Sequence, residues 1–467
     1  MKKLFLSTAQ LDSAAISAGL IELVLQENAA KALVCQIKKN LKPSSKLLFL
    51  CGAGNNAADG IAAARMLSGD YNCELLLLFS KLNDNALTQL NIAKNYGVRV
   101  LNSLDLSKDL ACYDGVIDSI FGSGLKRDMS ENICELISAI NEIHAFKLAV
   151  DVPSGLDSDG NLRPLCFKAD ITVTMGALKL GLYSDNAKDY AGCVVLANLG
   201  QSEQNYTSKA QECDYLLELS DMRLPRRTRE NVNKGDFGHA FVVRGDMSGA
   251  AQITALAALN MGVGKISLYN CDLRNLEHCD PVIMQKTSFE GASAVACGMG
   301  LGSAKLDFSA FLSLPCVIDA DMFMRAEIIE FAKSPKCVLT PHPKEFASLL
   351  KLSGLGEFSA AQINERRFNL AREFSTKFPC VLVLKGANTI IAHNGVLYIC
   401  ANGSSKLAVG GSGDALAGII LALLAQGYNS LDAAITGVLA HAKTALNYDK
   451  SDFSFSPNDI IKGLKNL

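Results

Sequence analysis

Short apolar blocks alternate with stretches of helical periodicity along almost the whole chain, and this alternation limits the fold more than any other feature. After a helix-like stretch over 9–40, Leu47-Leu48-Phe49-Leu50-Cys51 forms a first block, stopped by Gly52-Ala53-Gly54. Further blocks follow at Leu75–Phe79, Val98–Leu101, Val116–Ile117, Leu148–Val150, Ile171–Thr174 and Val194–Leu196. Strands that alternate with helices pair in parallel, because a crossover helix returns the chain to the same edge. A doubly wound parallel sheet is therefore expected. From Gln201 to Ser208 polar residues replace the apolar blocks, which places a linker there. The alternation restarts at Ala240–Val243 and continues through a small-residue helix from Gly249 and strands near Ile266–Leu268, Ala294–Cys297, Val317–Ile318, Cys337–Leu339 and Val381–Leu384. Asn394-Gly395 then joins Ile390–His393 to Val396–Ile399 in an expected hairpin, and three helical stretches finish the chain. No short-period repeat is visible.

This pattern needs buried strands, and the composition supplies them: 49% of the 467 residues are hydrophobic and Trp is absent. The formal charge is -2, split as -5 through Glu218 and +3 beyond it, so neither half reads as a nucleic-acid binder. The fifteen cysteines include no C-x-x-C, and Cys51, Cys297, Cys316 and Cys400 lie inside apolar runs, as reduced core residues do. Leu4-Phe5-Leu6 is far too short for a secretory segment, and no apolar run is long enough to cross a membrane. The expectation is a cytoplasmic protein without a membrane or nucleic-acid partner.

Polar clusters follow the expected strands at their C-terminal ends, where open α/β sheets bind ligands. In the first half these are Gly54-Asn55-Asn56-Ala57-Ala58-Asp59-Gly60, Asp118-Ser119-Ile120-Phe121-Gly122-Ser123-Gly124-Leu125 and Asp151-Val152-Pro153-Ser154-Gly155. Asn56, Asp118 and Ser154 offer hard oxygens for a cation of low charge density or for a hydrogen-bonded ligand, and no His/Cys set for zinc accompanies them. Gly122–Gly124, followed by Lys126 and Arg127, could cradle phosphate. Singly, Asn55 and Asp59 serve equally well as helix caps, and Lys126-Arg127 as a solvated face. Together the three clusters indicate one pocket containing Asp118 and Asp151.

In the second half the strand ends carry Arg244-Gly245-Asp246-Met247-Ser248-Gly249-Ala250, Gly298-Met299-Gly300-Leu301-Gly302, Asp319-Ala320-Asp321, Thr340-Pro341-His342-Pro343-Lys344-Glu345 and Lys385-Gly386-Ala387-Asn388-Thr389. Ala408-Val409-Gly410-Gly411-Ser412-Gly413-Asp414 then enters a long apolar helix. Backbone N–H groups freed by glycines at a helix start receive phosphate oxygens. A carboxylate there repels phosphate, so Asp414 is better placed as a general base beside a substrate hydroxyl. A lone His342 also reads as a satisfied loop histidine, and Lys385 as a surface residue beside the hairpin. A small-molecule kinase in this second half, fused to a first half that is a non-catalytic nucleotide-binding module, remains a competing reading.

In order and spacing the first-half strings resemble the N-terminal domain of the NAD(P)H-hydrate epimerases over roughly residues 10–200, with Ala57-Ala58 where that pattern has two glycines. Across roughly residues 225–465, Asn233-Lys234-Gly235-Asp236-Phe237-Gly238-His239, Thr340-Pro341-His342-Pro343, Leu384–Thr389 and Gly410–Asp414 resemble the ribokinase-like ADP-dependent NAD(P)H-hydrate dehydratases. Lys344 departs from that pattern's usual glycine, and Arg244 stands where a second glycine is common. The whole chain thus resembles the bifunctional NAD(P)H-hydrate repair enzymes. The fold class implied is α/β with two domains, an N-terminal Rossmann-like doubly wound sheet over 1–215 and a C-terminal ribokinase-like domain over 216–467. The resemblance implies substrates NADHX and NADPHX, the hydrated forms of NADH and NADPH, with ADP as co-substrate together with Mg2+, and a homo-oligomer. It implies K+ on Asn56, Asp118 and Ser154. Substrate contacts fall on Asn55, Asn56, Ala57, Ala58, Asp59, Gly122, Ser123, Gly124, Leu125, Lys126, Arg127, Asp128 and Asp151 in the first half, with Asp151 as the epimerase acid/base. In the second half the adenine nucleotide falls to Lys385, Gly386, Ala387, Asn388, Thr389 and Gly413, and the hydrate to Ala250, Gly300, His342 and Asp414, with Asp414 as base.

Overall fold

The computed structural model describes residues 1–106, 108–210, 213–270 and 279–467 and divides the chain into two compact units, Lys3–Cys213 and Asp214–Leu467 with Met1–Lys2. The first unit is built on a fully parallel sheet of β1 (Lys46–Cys51), β2 (Asn72–Leu77), β3 (Arg99–Leu101), β4 (Gly115–Ser119), β5 (Phe146–Val150), β6 (Ile171–Met175) and β7 (Cys193–Ala197). Their order is β3-β2-β1-β4-β5-β6-β7. β1 shows why the blocks are continuously apolar. Leu47, Phe49 and Cys51 pack into the core on one face of the sheet, Leu48 and Leu50 into the core on the other, and all five are fully buried.

Strand order reverses between β1 and β4, and this opens a crevice above their C-terminal ends. Leu50 pairs with Asp118, and Asp118 in turn with Ala149, so the ends of β1, β4 and β5 lie side by side. The three polar clusters therefore leave the sheet at one level. Behind β1 packs α2 (Asn55–Leu67), and α1 (Glu22–Asn40) packs beside α2 and behind β5, β6 and β7.

Two sequence expectations change here. The stretch 9–40 is two helices, Ala9–Ser17 and α1, because Gly19 takes a left-handed conformation at φ 103° and ends the first. Gln201–Ser208 is not an extended linker: it holds a helical turn, Glu203–Tyr206, capped by Ser202, and buried Tyr206 anchors it. One aromatic side chain outweighs the polar residues around it.

The second unit contains β8 (Asp214–Leu216), β9 (His239–Arg244), β10 (Lys265–Asn270), β11 (Met284–Lys286), β12 (Ala294–Cys297), β13 (Cys316–Ile318), β14 (Cys337–Leu339), β15 (Val381–Leu384), β16 (Thr389–His393) and β17 (Val396–Cys400). They run in the order β11-β10-β9-β12-β13-β14-β15-β16-β17-β8. Pairing is parallel as far as β15, after which the expected hairpin adds two antiparallel strands. Asn394 and Gly395, at φ 50° and 79°, form the turn that their residue types favour. β8 and β11 escaped sequence reading because each, Asp-Tyr-Leu and Met-Gln-Lys, is short and mixes polar with apolar residues, so neither forms an apolar block. The helices that frame the site are α3 (Ser248–Asn260), α4 (Pro343–Leu352), α5 (Ser412–Ala425) and α6 (Ser430–Leu446). From Ala415 to Ala425 every residue of α5 is buried.

Fourteen described cysteines are free, with Cys51, Cys297, Cys316 and Cys400 buried as expected, while Cys271 lies outside the described residues. Among the described residues no helix is long and apolar enough to cross a membrane.

Candidate active sites

In the first unit a cavity of about 980 Å³ lies over the crevice. Asn55, Asn56 and Asp59 reach it from the start of α2, and the loop Gly122–Arg127 and Asp151 from the neighbouring strand ends. Ala57 and Ala58 do not reach it. Helical periodicity turns both side chains into the core, where they are fully buried, and their amides close the first turn onto the Gly54 carbonyl. Asp128 lies on the exposed surface beyond the cavity lining.

Asp118 is fully buried beneath the crevice. Its Oδ1 accepts from Ser154 Oγ at 2.6 Å and Ile120 N at 3.2 Å, and its Oδ2 from Ser154 N at 2.7 Å. Burial pushes its pKa up to about 6 against these hydrogen bonds. No ion pair joins Asp118 to a basic side chain among the described residues. Nearby, a Cβ on Gly122 would stand 3.4 Å from Asn56 Oδ1 and 3.2 Å from Asp151 Oδ2, and Asn56 Nδ2 is buried without a hydrogen-bond partner. A buried carboxylate lacking a countercharge among the described residues, with hard oxygens near it, fits a monovalent cation, whereas the Asn56 amide nitrogen is a donor and calls for an acceptor. No group of three or more His, Cys, Asp or Glu that could hold a metal occurs among the described residues.

Asp151 turns the chain at φ 68°, a conformation that costs a non-glycine residue energy and aims its carboxylate into the cavity. Oδ1 accepts from Lys179 Nζ at 2.6 Å and Met175 N at 3.1 Å, and Oδ2 from Ser123 N at 3.4 Å. Lys179 is itself buried and also donates to Thr174 Oγ1 and the Met175 carbonyl. Sequence reading missed Lys179 and also Asp12, which lines the cavity and accepts from the Tyr206 hydroxyl. A lysine inside the apolar run Ala177–Leu182 was the available signal.

In the second unit the expected residues converge on the start of α5. Lys385 leaves β15 with Nζ 2.7 Å from Asp319 Oδ1 and 3.6 Å from Glu345 Oε2. A Cβ on Gly413 would lie 3.5 Å from that ammonium and 3.6 Å from Asp319 Oδ2, so Lys385 sits beside the first turn of α5. Burial opposes the Lys385 charge, but Asp319 and Glu345 outweigh it and raise the pKa. Burial, and then Asp319, push Asp414 up to about 6, with Lys385 acting the other way.

The loop Lys385–Thr389 is braced from below. Buried Arg367 donates to the carbonyls of Asn388 at 3.3 Å and Lys385 at 3.5 Å, and Asn388 is only 3% exposed. His342 caps α4, its Nδ1 accepting from Glu345 N at 3.1 Å, while Glu345 returns a bond to His342 N and faces Lys385. Lys344, exposed in the first turn of α4, leaves that cap intact. On the other side, Gly300 closes on Met247, and a Cβ there would stand 3.2 Å from Ala250 Cβ. Thr254 Oγ1 lies within reach of the Ala250 and Asp414 carbonyls, at 3.0 and 3.1 Å. Lys385, Gly413, Asp414, Ala250, Gly300 and His342 thus surround one region. Arg367, Thr254 and His441 were missed. His441 holds Ser412 from α6 at 3.1 Å, and burial pushes its pKa down to about 4.

Residues 240–466 match the family described as NAD(P)H-hydrate dehydratase, and residues 22–181 match the YjeF-related protein N-terminus. The chain is 41% identical to the bifunctional NAD(P)H-hydrate repair enzyme Nnr of Helicobacter pylori, over 96% of each chain. It is 31% identical to the enzymes of the same name from Coxiella burnetii, over 93% of this chain and 92% of that one, and from Escherichia coli, over 91% and 85%.

Proposed function

Since the chain belongs to the bifunctional NAD(P)H-hydrate repair enzymes, we propose that its two sites act in sequence on hydrated NADH and NADPH. The first unit interconverts the R and S hydrates, and the second dehydrates the S hydrate at the expense of ADP. We assign epimerisation to residues 1–215 and dehydration to 216–467.

Asp414 takes the proton from the ring hydroxyl, whose oxygen attacks the terminal phosphate of ADP. AMP leaves; inorganic phosphate then departs from the ring carbon with the C–O electron pair, the neighbouring ring carbon loses a proton to solvent, and the double bond of the dihydropyridine reforms. A poor leaving group becomes a good one. The first-turn amides around Gly413 and the ammonium of Lys385 lie where charge grows on the transferred phosphoryl group. Lys385–Thr389 hold the adenine nucleotide, Ala250, Gly300 and His342 the hydrate. Mg2+ would shield the ADP charge when bound. In the first unit Asn56, Asp118 and Ser154 would hold K+, whose charge would meet the buried Asp118 carboxylate. Asn55, Asn56, Asp59, Asp151 and the loop Gly122–Arg127 hold the substrate, and the cavity volume suits a ligand of nucleotide size.

The observation that carries this reading is the convergence of Asp414, Gly413, Lys385 and Asp319 on one helix mouth. The test is to incubate the protein with an R/S mixture of hydrated NADH and follow absorbance at about 340 nm. Complete recovery with ADP and none without it is expected. A stable phosphorylated product in place of NADH would favour the kinase reading.

A further inference from the structure

Four carboxyl-bearing side chains line the cavity of the first unit: Asp12, Glu22, Asp59 and Asp151. Three have partners within the protein. Asp12 accepts from Tyr206, Glu22 from Asn85 Nδ2 at 2.7 Å, and Asp151 is ion-paired to Lys179. Asp59 makes no hydrogen bond or ion pair with any described residue, although it stands in the second turn of a well-packed helix and only part of it is exposed. A carboxyl in a sheltered site without a partner is costly unless it is neutral or meets a ligand.

Resting on the epimerase reading above, we propose that Asp59 is the general acid of epimerisation, donating its proton to the hydroxyl of the hydrated ring carbon, while Asp151, paired with Lys179, positions the substrate. The groups facing Asp59 from the surrounding elements favour this division. Asp12, from helix Ala9–Ser17, and Asp151, from the end of β5, bear on it with negative charge, and only Lys179 opposes them, already committed to Asp151. Burial first, then Asp151 and Asp12, raise the Asp59 pKa well above the ordinary carboxylate value. Glu22 is held by Asn85, and Lys126 and Arg127, exposed at the cavity edge, face solvent.

The step balances without a further reactant. The Asp59 proton passes to the hydroxyl oxygen, the C–O bond breaks with its electron pair on oxygen, and water is released. The ring-nitrogen lone pair forms the C=N bond of a cation, held in the cavity that Asp151 lines. Water then adds to either face of the carbon, the C=N pair returns to nitrogen, and the proton returns to Asp59. The product is the opposite epimer.

The test uses the full chain with purified R hydrate and chromatographic separation of the epimers. Asp59→Asn should lower kcat for interconversion by about 10²-fold or more while KM stays within a few fold. The wild-type rate should fall as pH rises through the Asp59 pKa, because the acid form is consumed. Asp59→Glu should restore part of the rate with a shifted alkaline limb. If Asp59→Asn misfolds by circular dichroism, Asp59→Glu decides through that limb alone. Wild-type kcat in Asp59→Asn, a change confined to KM, or no alkaline limb in the wild type would overturn the proposal. Failure of the wild type to interconvert the epimers would instead remove the epimerase reading itself.

Discussion

Asp414 and Asp118 are both raised to about 6, chiefly by burial, yet the two shifts have different consequences. Asp414 needs its ionised form to accept a proton, so the ADP-dependent rate should fall as pH drops through about 6, and the kcat/KM profile should show that acidic limb. A folded-state pKa above the unfolded value also means that ionisation opposes folding. This contribution to stability is present at low pH and lost as pH rises through about 6. Asp414→Asn should therefore abolish dehydration yet melt at a higher temperature than the wild type at pH ~8, with the difference vanishing below pH ~4. A melting temperature equal to wild type at pH ~8 would show that the carboxylate carries no such strain. Asp118, by contrast, accepts three hydrogen bonds and has no basic partner among the described residues, so its charge is met inside the protein by hydrogen bonds alone.

At the scale of elements, the loop Lys385–Thr389, proposed above to hold the nucleotide, depends on neighbours that its own sequence does not contain. Arg367, from helix Arg367–Lys377, ties its carbonyls, and Gly403 comes so close that a Cβ would fall 2.1 Å from the Ala387 carbonyl oxygen. Gly403→Ala cannot be relieved by a side-chain rotation, since the obstacle is backbone. It should cost roughly 1–3 kcal/mol in denaturant unfolding and raise KM for ADP more than KM for the hydrate. An equal rise in both constants would mean that the loop is not the nucleotide contact.

At the scale of the molecule, each unit has its own core and its own set of site residues, so the activities should separate by single substitutions. Asp414→Ala should still interconvert the hydrates and bind nucleotide but restore no NADH. Asp151→Asn should restore only the share of a fresh mixture that is S hydrate, then stop. Full recovery by Asp151→Asn would place epimerisation elsewhere.

What the sequence determined by itself is what lies in short windows. Apolar blocks specified the strands, glycines and Asn394-Gly395 the turns, and the polar strings at strand ends the site loops, because each of these is a local preference of neighbouring residues. β8 and β11, short strands that mix polar with apolar residues, and a polar segment held by one Tyr206 carry too little local signal to be read that way. Only the tertiary structure decided which residues within a string face the cavity. Asn56 and Asp59 turn to the cavity and Ala57 and Ala58 to the core through the 3.6-residue period of α2. It also supplied Lys179, Asp12, Arg367, Thr254 and His441, which come from distant parts of the chain. Their roles are electrostatic, and the burial and neighbouring charge that set a carboxyl group's proton affinity exist only once the sheet has brought those segments together.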